Sequence, residues 1–195
     1  MDEREFFDKL APVWDNTESN STPDKINFIL DLIGIEKGQR ILDLGTGTGV
    51  LLPYLAERTG ETGSIMAVDY SEGMLQRAKE KFSGLIPKPL FLNSDFENET
   101  LPGEYDHIIL YCVYPHLHNP VETLKWLRKV NLAKEGDIVI AFPTDENFIN
   151  SIHKDRHSES DLLLSAPQLA GFLNKEGLTA VVLAADKESY VIKIR

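Results

Sequence analysis

Residues 40–50 read RILDLGTGTGV, an apolar run that carries one acid and then breaks into glycines on alternate positions. The run ending at Leu44 is too short and too apolar for an amphipathic helix, and it suits a strand buried on both faces of a sheet. Glycine has no Cβ and tolerates positive φ, so a strand, a Gly-rich turn and a helix start together let a ligand approach the backbone N–H groups. The dinucleotide fingerprint G-x-G-x-x-G ends on a small residue that allows close helix packing. Here Gly45, Gly47 and Gly49 alternate and Val50 occupies the third fingerprint position, which weakens a dinucleotide reading.

Outward from this loop, strand and helix signals alternate. Thr22-Pro23 look like an N-cap and first helical residue, with Ile26, Ile29, Leu30 and Ile33 at helical spacing before Gly34. VLLPYLAERT predicts a helix after the loop, GSIMAVD a second strand, and SEGMLQRAKEKF a helix capped by Ser71. PLFLNSD and YDHIILYCV predict strands three and four. Asn119-Pro120-Val121-Glu122 predicts a capped helix through Leu132, and GDIVIAF a fifth strand. Ser165 and Gln168 repeat the capping-box spacing before a helix ending at Gly177, and LTAVVLAAD with ESYVIKIR predicts a closing hairpin. This order gives an α/β fold: a Rossmann-like doubly wound sheet of seven strands, mostly parallel, with an antiparallel strand in the C-terminal hairpin. In such sheets the ligand sits at the carboxyl ends of the strands. The loops after Leu44, Val68, Ser94 and Val113 are therefore expected around one site.

The chain has 195 residues, 42% of them hydrophobic, which suits one domain. Its formal net charge of -11 disfavours nucleic acid, which proteins hold mainly through Lys and Arg on phosphates. The short basic stretches at 125–129 and 153–157 do not form a patch. No run approaches the roughly 18 apolar residues of a membrane span, and the charged start MDEREFFDKL is unlike a secretory signal, so a cytoplasmic protein is expected. The single Cys112 leaves no internal disulfide and reads as a core residue.

DLGTGTG, with an acid two residues before the first glycine, resembles the cofactor motif of class I S-adenosylmethionine-dependent methyltransferases. The resemblance continues through Asp69 in AVDYSEGML, Asp95 in NSDFE, and the LRKVNLAKEGDIVIAF block, over most of residues 36–195. It implies S-adenosylmethionine as cofactor and S-adenosylhomocysteine as product. It implies that Asp69 holds the ribose hydroxyls and that Asp95 lies by the adenine. Asp43 would hold the methionine ammonium or orient the loop of Gly45, Thr46, Gly47 and Gly49. Tyr70, Met74, Phe96 and Tyr111 are candidate apolar contacts to the cofactor.

The acceptor is less legible. The segment CVYPHLHNP lacks the N/D-P-P-Y/F signature of enzymes that methylate amino groups of bases or glutamine, with Tyr114 at most an echo of it. FFDKLAPVWDN looks like the opening segment of the ubiquinone and menaquinone C-methyltransferase group, in which Phe7 and Trp14 would belong to a lid. A small-molecule acceptor follows. His116 and His118 are candidate general bases, and His153 and His157 are candidates on the substrate side, with no metal expected. The whole chain then forms a single domain: a helical lid segment over 1–35, a cofactor-binding half over 36–143, and a substrate-side loop and hairpin over 144–195. An NAD(P)-binding oxidoreductase and a non-catalytic S-adenosylmethionine-binding protein are the competing readings, and the oligomeric state is open.

Overall fold

The computed structural model describes residues 3–16, 20–153 and 162–195. Among these residues seven strands form one sheet: β1 (Arg40–Leu44), β2 (Ser64–Asp69), β3 (Leu90–Asn93), β4 (Tyr105–Tyr111), β5 (Leu132–Phe142), β6 (Ala180–Ala185) and β7 (Tyr190–Ile194). Their order is β3-β2-β1-β4-β5-β7-β6. The first five run parallel, and β7 inserts antiparallel between β5 and β6. The strand order reverses between β1 and β4, so the loops leaving those two strands flank the crevice where such sheets take ligands.

Seven helices accompany the sheet among the described residues: α1 (Glu3–Leu10), α2 (Pro23–Ile33), α3 (Leu52–Thr59), α4 (Glu72–Phe82), α5 (Pro120–Val130), α6 (Glu146–His153) and α7 (Ala166–Lys175). The apolar residues of α2 and α3 pack on one sheet face with Ile41, Ile109 and Val139. Those of α5 and α7 pack on the other with Leu42, Ile108 and Ile138. Successive strand residues thus feed opposite cores, which is why these strands read as continuous apolar runs.

Several local expectations differ. The helix expected through Leu132 ends at Val130, and Leu132 already belongs to β5. Neither Thr22 nor Asn119 caps its helix through its side chain. At α5 that work falls to Glu97, whose carboxylate accepts from the backbone N–H of His118 and of Asn119, both at 3.0 Å, and from Thr123 Oγ1 at 3.1 Å. Ser71 does cap α4, its hydroxyl accepting from Met74 N–H at 3.1 Å. Among the described residues no helix is long and apolar enough to cross a membrane.

Candidate functional site

Asp43, the fourth residue of β1, is 2% exposed, and Thr46 Oγ1 donates to its Oδ2 at 2.7 Å. The acid therefore holds the turn that follows it. Burial pushes its carboxyl up to about 7, against the Thr46 hydrogen bond and with further help from nearby Asp69. Asp69 ends β2, 5% exposed. Its Oδ2 accepts from Gly47 N–H at 2.8 Å and its Oδ1 from Ser71 N–H at 2.9 Å. Burial and the negative charge of Asp8 push it up to about 6, against those amide bonds and the nearby His116. Two buried carboxylates thus stand at the tips of adjacent strands at an energetic cost that a ligand carrying hydroxyl or ammonium donors would offset.

The three glycines between them differ in purpose. A Cβ on Gly45 would meet Val113 Cγ2 at 2.4 Å, so this glycine lets the loop lie against the end of β4. Gly49 does the same toward Phe82 of α4, at 2.8 Å, and so supplies the close helix approach for which Val50 is unsuited. Gly47 has φ 56 and nothing within 4 Å of a Cβ, so open space adjoins it while its N–H is held by Asp69. An open, positively turned backbone between two buried acids fits the amino-acid and ribose portions of S-adenosylmethionine.

Around this centre the other sequence candidates fall unevenly. Asn93 Nδ2 donates to the carbonyls of Asp69 and Tyr70, fixing the exit from β2. The Tyr70 ring faces Phe7 with centroids 6.2 Å apart, and the Arg4 guanidinium lies 5.7 Å from it. Met74 is 1% exposed and belongs to the core. The Asp95 carboxylate accepts from Glu97 N–H and Asn98 Nδ2, within its own turn. Phe96 packs on the same core cluster as Tyr114. Tyr111 is buried with its hydroxyl donating to Ser21 Oγ at 2.9 Å.

At the end of β4, Cys112 takes φ 59, a left-handed conformation rare for a side-chain-bearing residue. Its half-buried thiol sits between the two core clusters and burial pushes it up to about 12. The backbone then makes a short 3-10 turn, Tyr114–His116, that buries Tyr114 and brings His116 beside α1. His118 is largely exposed and bound through Nδ1 to Glu97 Oε2 at 3.0 Å, which raises its pKa. His153 ends α6, and His157 lies outside the described residues.

The N-terminal segment crosses this edge of the sheet on contacts that the sequence did not single out. Asp8 Oδ1 accepts from Ser71 Oγ at 2.6 Å and from Gly73 N–H at 3.0 Å, at the first turn of α4. A Cβ on Gly73 would meet Ala11 Cβ at 3.2 Å, so glycine lets α1 lie this close. Asp15 accepts from Thr48 Oγ1 at 2.6 Å and from Lys81 Nζ at 2.8 Å. Trp14 stacks edgewise on Phe7 with centroids 5.7 Å apart, and Phe7 meets the His116 ring at 5.3 Å. Only the aromatic content of FFDKLAPVWDN was a usable signal, because an acid on a short helix says nothing until its landing place is known.

A family model described as a methyltransferase domain matches residues 35–179. The carboxy-S-adenosyl-L-methionine synthase of Nautilia profundicola is 30% identical over 138 residues, 68% of this chain and 58% of that protein. The ubiquinone/menaquinone biosynthesis C-methyltransferase UbiE of Yersinia enterocolitica is 31% identical over 130 residues, 65% of this chain and 51% of that protein. The chain thus spans little more than half the length of these relatives. A SAM-dependent methyltransferase from Aquifex aeolicus shares the fold, with a TM-score of 0.72 at 23% identity over 100% of this chain and 98% of that one. With the loop, the strand order and the family match all in agreement, the chain belongs to the methyltransferase-domain family, in the class I group whose cofactor is S-adenosylmethionine.

Proposed function

We propose that the protein transfers a methyl group from S-adenosylmethionine to a small organic acceptor in the cytoplasm. The observation that carries this reading is the pair of buried carboxylates, Asp43 and Asp69, flanking the open Gly47 backbone. A carboxylate at the tip of β2 can accept from two vicinal ribose hydroxyls at once. The acidic surroundings also favour a cationic ligand over a polyanionic dinucleotide.

When bound, the cofactor supplies an electrophilic methyl group on a sulfonium sulfur. The chain's own residues bind, align and shield. Asp69 holds the ribose, Asp43 with Thr46 sets the loop, and Tyr70 offers an apolar face to the adenine. Phe7 and Trp14, on a segment clamped by Asp8 and Asp15, form a lid that excludes water and any competing nucleophile. In-line methyl transfer needs little beyond alignment unless the acceptor must lose a proton. For that step His116 is the better candidate base, since it lies under the lid with an 18% exposed side chain, whereas that of His118 is 76% exposed.

A screen of small acceptors with methyl-labelled S-adenosylmethionine, followed by His116→Gln on the best acceptor, tests this reading. Label transfer that falls at least tenfold in the variant, with cofactor affinity kept, supports it. Transfer unchanged in the variant removes His116 from the reaction.

A further inference from the structure

His116 is held on two sides by one helix. Glu3 and Phe7 stand four residues apart on α1, a spacing that puts both side chains on one helical face. Phe7 meets the imidazole edge to face at 5.3 Å and 79°, which fixes the ring plane. Glu3 Oε1 lies 2.6 Å from His116 Nδ1. An ionised carboxylate can only accept, so the proton of this hydrogen bond belongs to Nδ1. In the neutral ring the basic lone pair is then on Nε2.

The helix does not depend on Glu3 for its place. Asp8 anchors it to Ser71 and Gly73, Ala11 lies against Gly73, and Asp15 ties the following turn to Thr48 and Lys81. A latch would therefore be redundant at Glu3, while a carboxylate aimed at one ring nitrogen has a definite chemical consequence. Isolated neutral histidine favours the proton on Nε2; this contact imposes the other tautomer. Asp69 at the tip of β2 also acts on the ring, and Asp8 on α1 acts on Asp69. Asp69 spends both oxygens on the Gly47 and Ser71 amides and Asp8 bonds Ser71 and Gly73, so neither substitutes for Glu3 in the bonds seen.

We infer that Glu3 is a positioning residue: docking of the N-terminal helix sets His116 in the Nδ1–H tautomer and makes Nε2 its proton-accepting nitrogen. The inference rests on His116 being the base of the proposed reaction, but the state of the ring is readable without any turnover. It also joins lid and chemistry, because the base is correctly protonated only while α1 is docked.

The experiment is nitrogen NMR on the whole chain labelled with 15N-histidine, with the pH raised until the residue 116 ring shifts stop changing and with His116→Gln assigning the resonances. The wild type is expected to show Nδ1 as the proton-bearing nitrogen of residue 116. Glu3→Ala should reverse the two nitrogens, and Glu3→Gln, whose amide oxygen still accepts, should keep the wild-type order. Thermal unfolding of each variant verifies that the fold is retained, which the part-exposed position of Glu3 favours. A wild-type ring protonated on Nε2, or a Glu3→Ala variant indistinguishable from wild type, overturns the inference. Loss of the base reading would show differently, as a His116→Gln enzyme of undiminished turnover whose parent still carries the Nδ1 proton.

Discussion

The Asp69 carboxylate accepts from the Gly47 backbone N–H at 2.8 Å, joining the tip of β2 to the middle of the glycine loop on β1. Its second oxygen takes Ser71 N–H, so both oxygens already face donors. Asparagine is therefore no conservative replacement, because its amide protons must face one of these N–H groups. Asp69→Asn is expected to weaken binding of S-adenosylhomocysteine by about a hundredfold, or ~2.7 kcal/mol, by isothermal calorimetry. Asp69→Ala should leave no measurable binding. An affinity within threefold of wild type for either variant would remove Asp69 from the site.

Acidity gives a second prediction. Burial raises Asp69 to about 6 and Asp43 to about 7, above the ordinary carboxylate value near 4. Between about pH 4 and 7 the unliganded native state thus binds more protons than the unfolded chain, and the contribution of these acids to stability, present below about pH 4, is lost as pH rises through 6 to 7. A ligand held by the ionised forms works in the opposite sense. Its affinity should rise with pH by up to about tenfold per unit for each acid that must ionise, so up to about a hundredfold per unit below pH 6 and about tenfold between 6 and 7, and level off above 7. Calorimetry in two buffers of different ionisation heat should count protons released on binding near pH 6. A flat affinity across this range would contradict the assignment.

The lid predicts a kinetic effect. Asp8→Ala removes the hydrogen bonds to Ser71 and Gly73, worth about 1.5–3 kcal/mol for a charged acceptor, and with the Asp8 charge gone Asp69 moves back toward the ordinary carboxylate range. Dissociation of S-adenosylhomocysteine should accelerate by at least tenfold, followed by Trp14 fluorescence in a Trp126→Phe background. An unchanged dissociation rate would mean that α1 does not close over the ligand.

Two glycines should separate stability from binding. Gly45→Ala forces a Cβ against Val113 at 2.4 Å in a left-handed backbone and should cost about 3 kcal/mol of stability. Val113→Ala in the same chain should recover part of it. Gly47→Ala meets nothing within 4 Å and should cost about 1–2 kcal/mol. Its larger effect should be on cofactor affinity. Urea unfolding and calorimetry on the three variants distinguish these outcomes.

The sheet was legible in the sequence because the central strands β1 and β4 feed both cores and are mostly apolar, with few polar residues in RILDL and YDHIILY, and because the turn after β1 is so rich in glycine. The helix limits were less legible where long-range groups decide them. Asn119 has a capping side chain in the right place, yet Glu97 from another loop caps the helix instead. Leu132 looked helical by spacing, but the sheet claims it. At the site, acids ending apolar strands were visible as exceptions to their surroundings. Glu3, Asp8 and Asp15 were not, because they lie in a stretch rich in acids and their purpose comes from the backbone N–H groups, hydroxyls and imidazole they meet in three dimensions. Cys112 carried no sign of its left-handed backbone, since glycine or asparagine would be the usual marker.

The glycine loop and the acids of β1 and β2 are proposed to hold S-adenosylmethionine. Calorimetric titration of the full chain with S-adenosylhomocysteine and, in parallel, with NADH puts this to the test. Saturable binding of one S-adenosylhomocysteine per chain, with no heat from the nicotinamide cofactor, is expected. Tight NADH binding with no response to S-adenosylhomocysteine would contradict it.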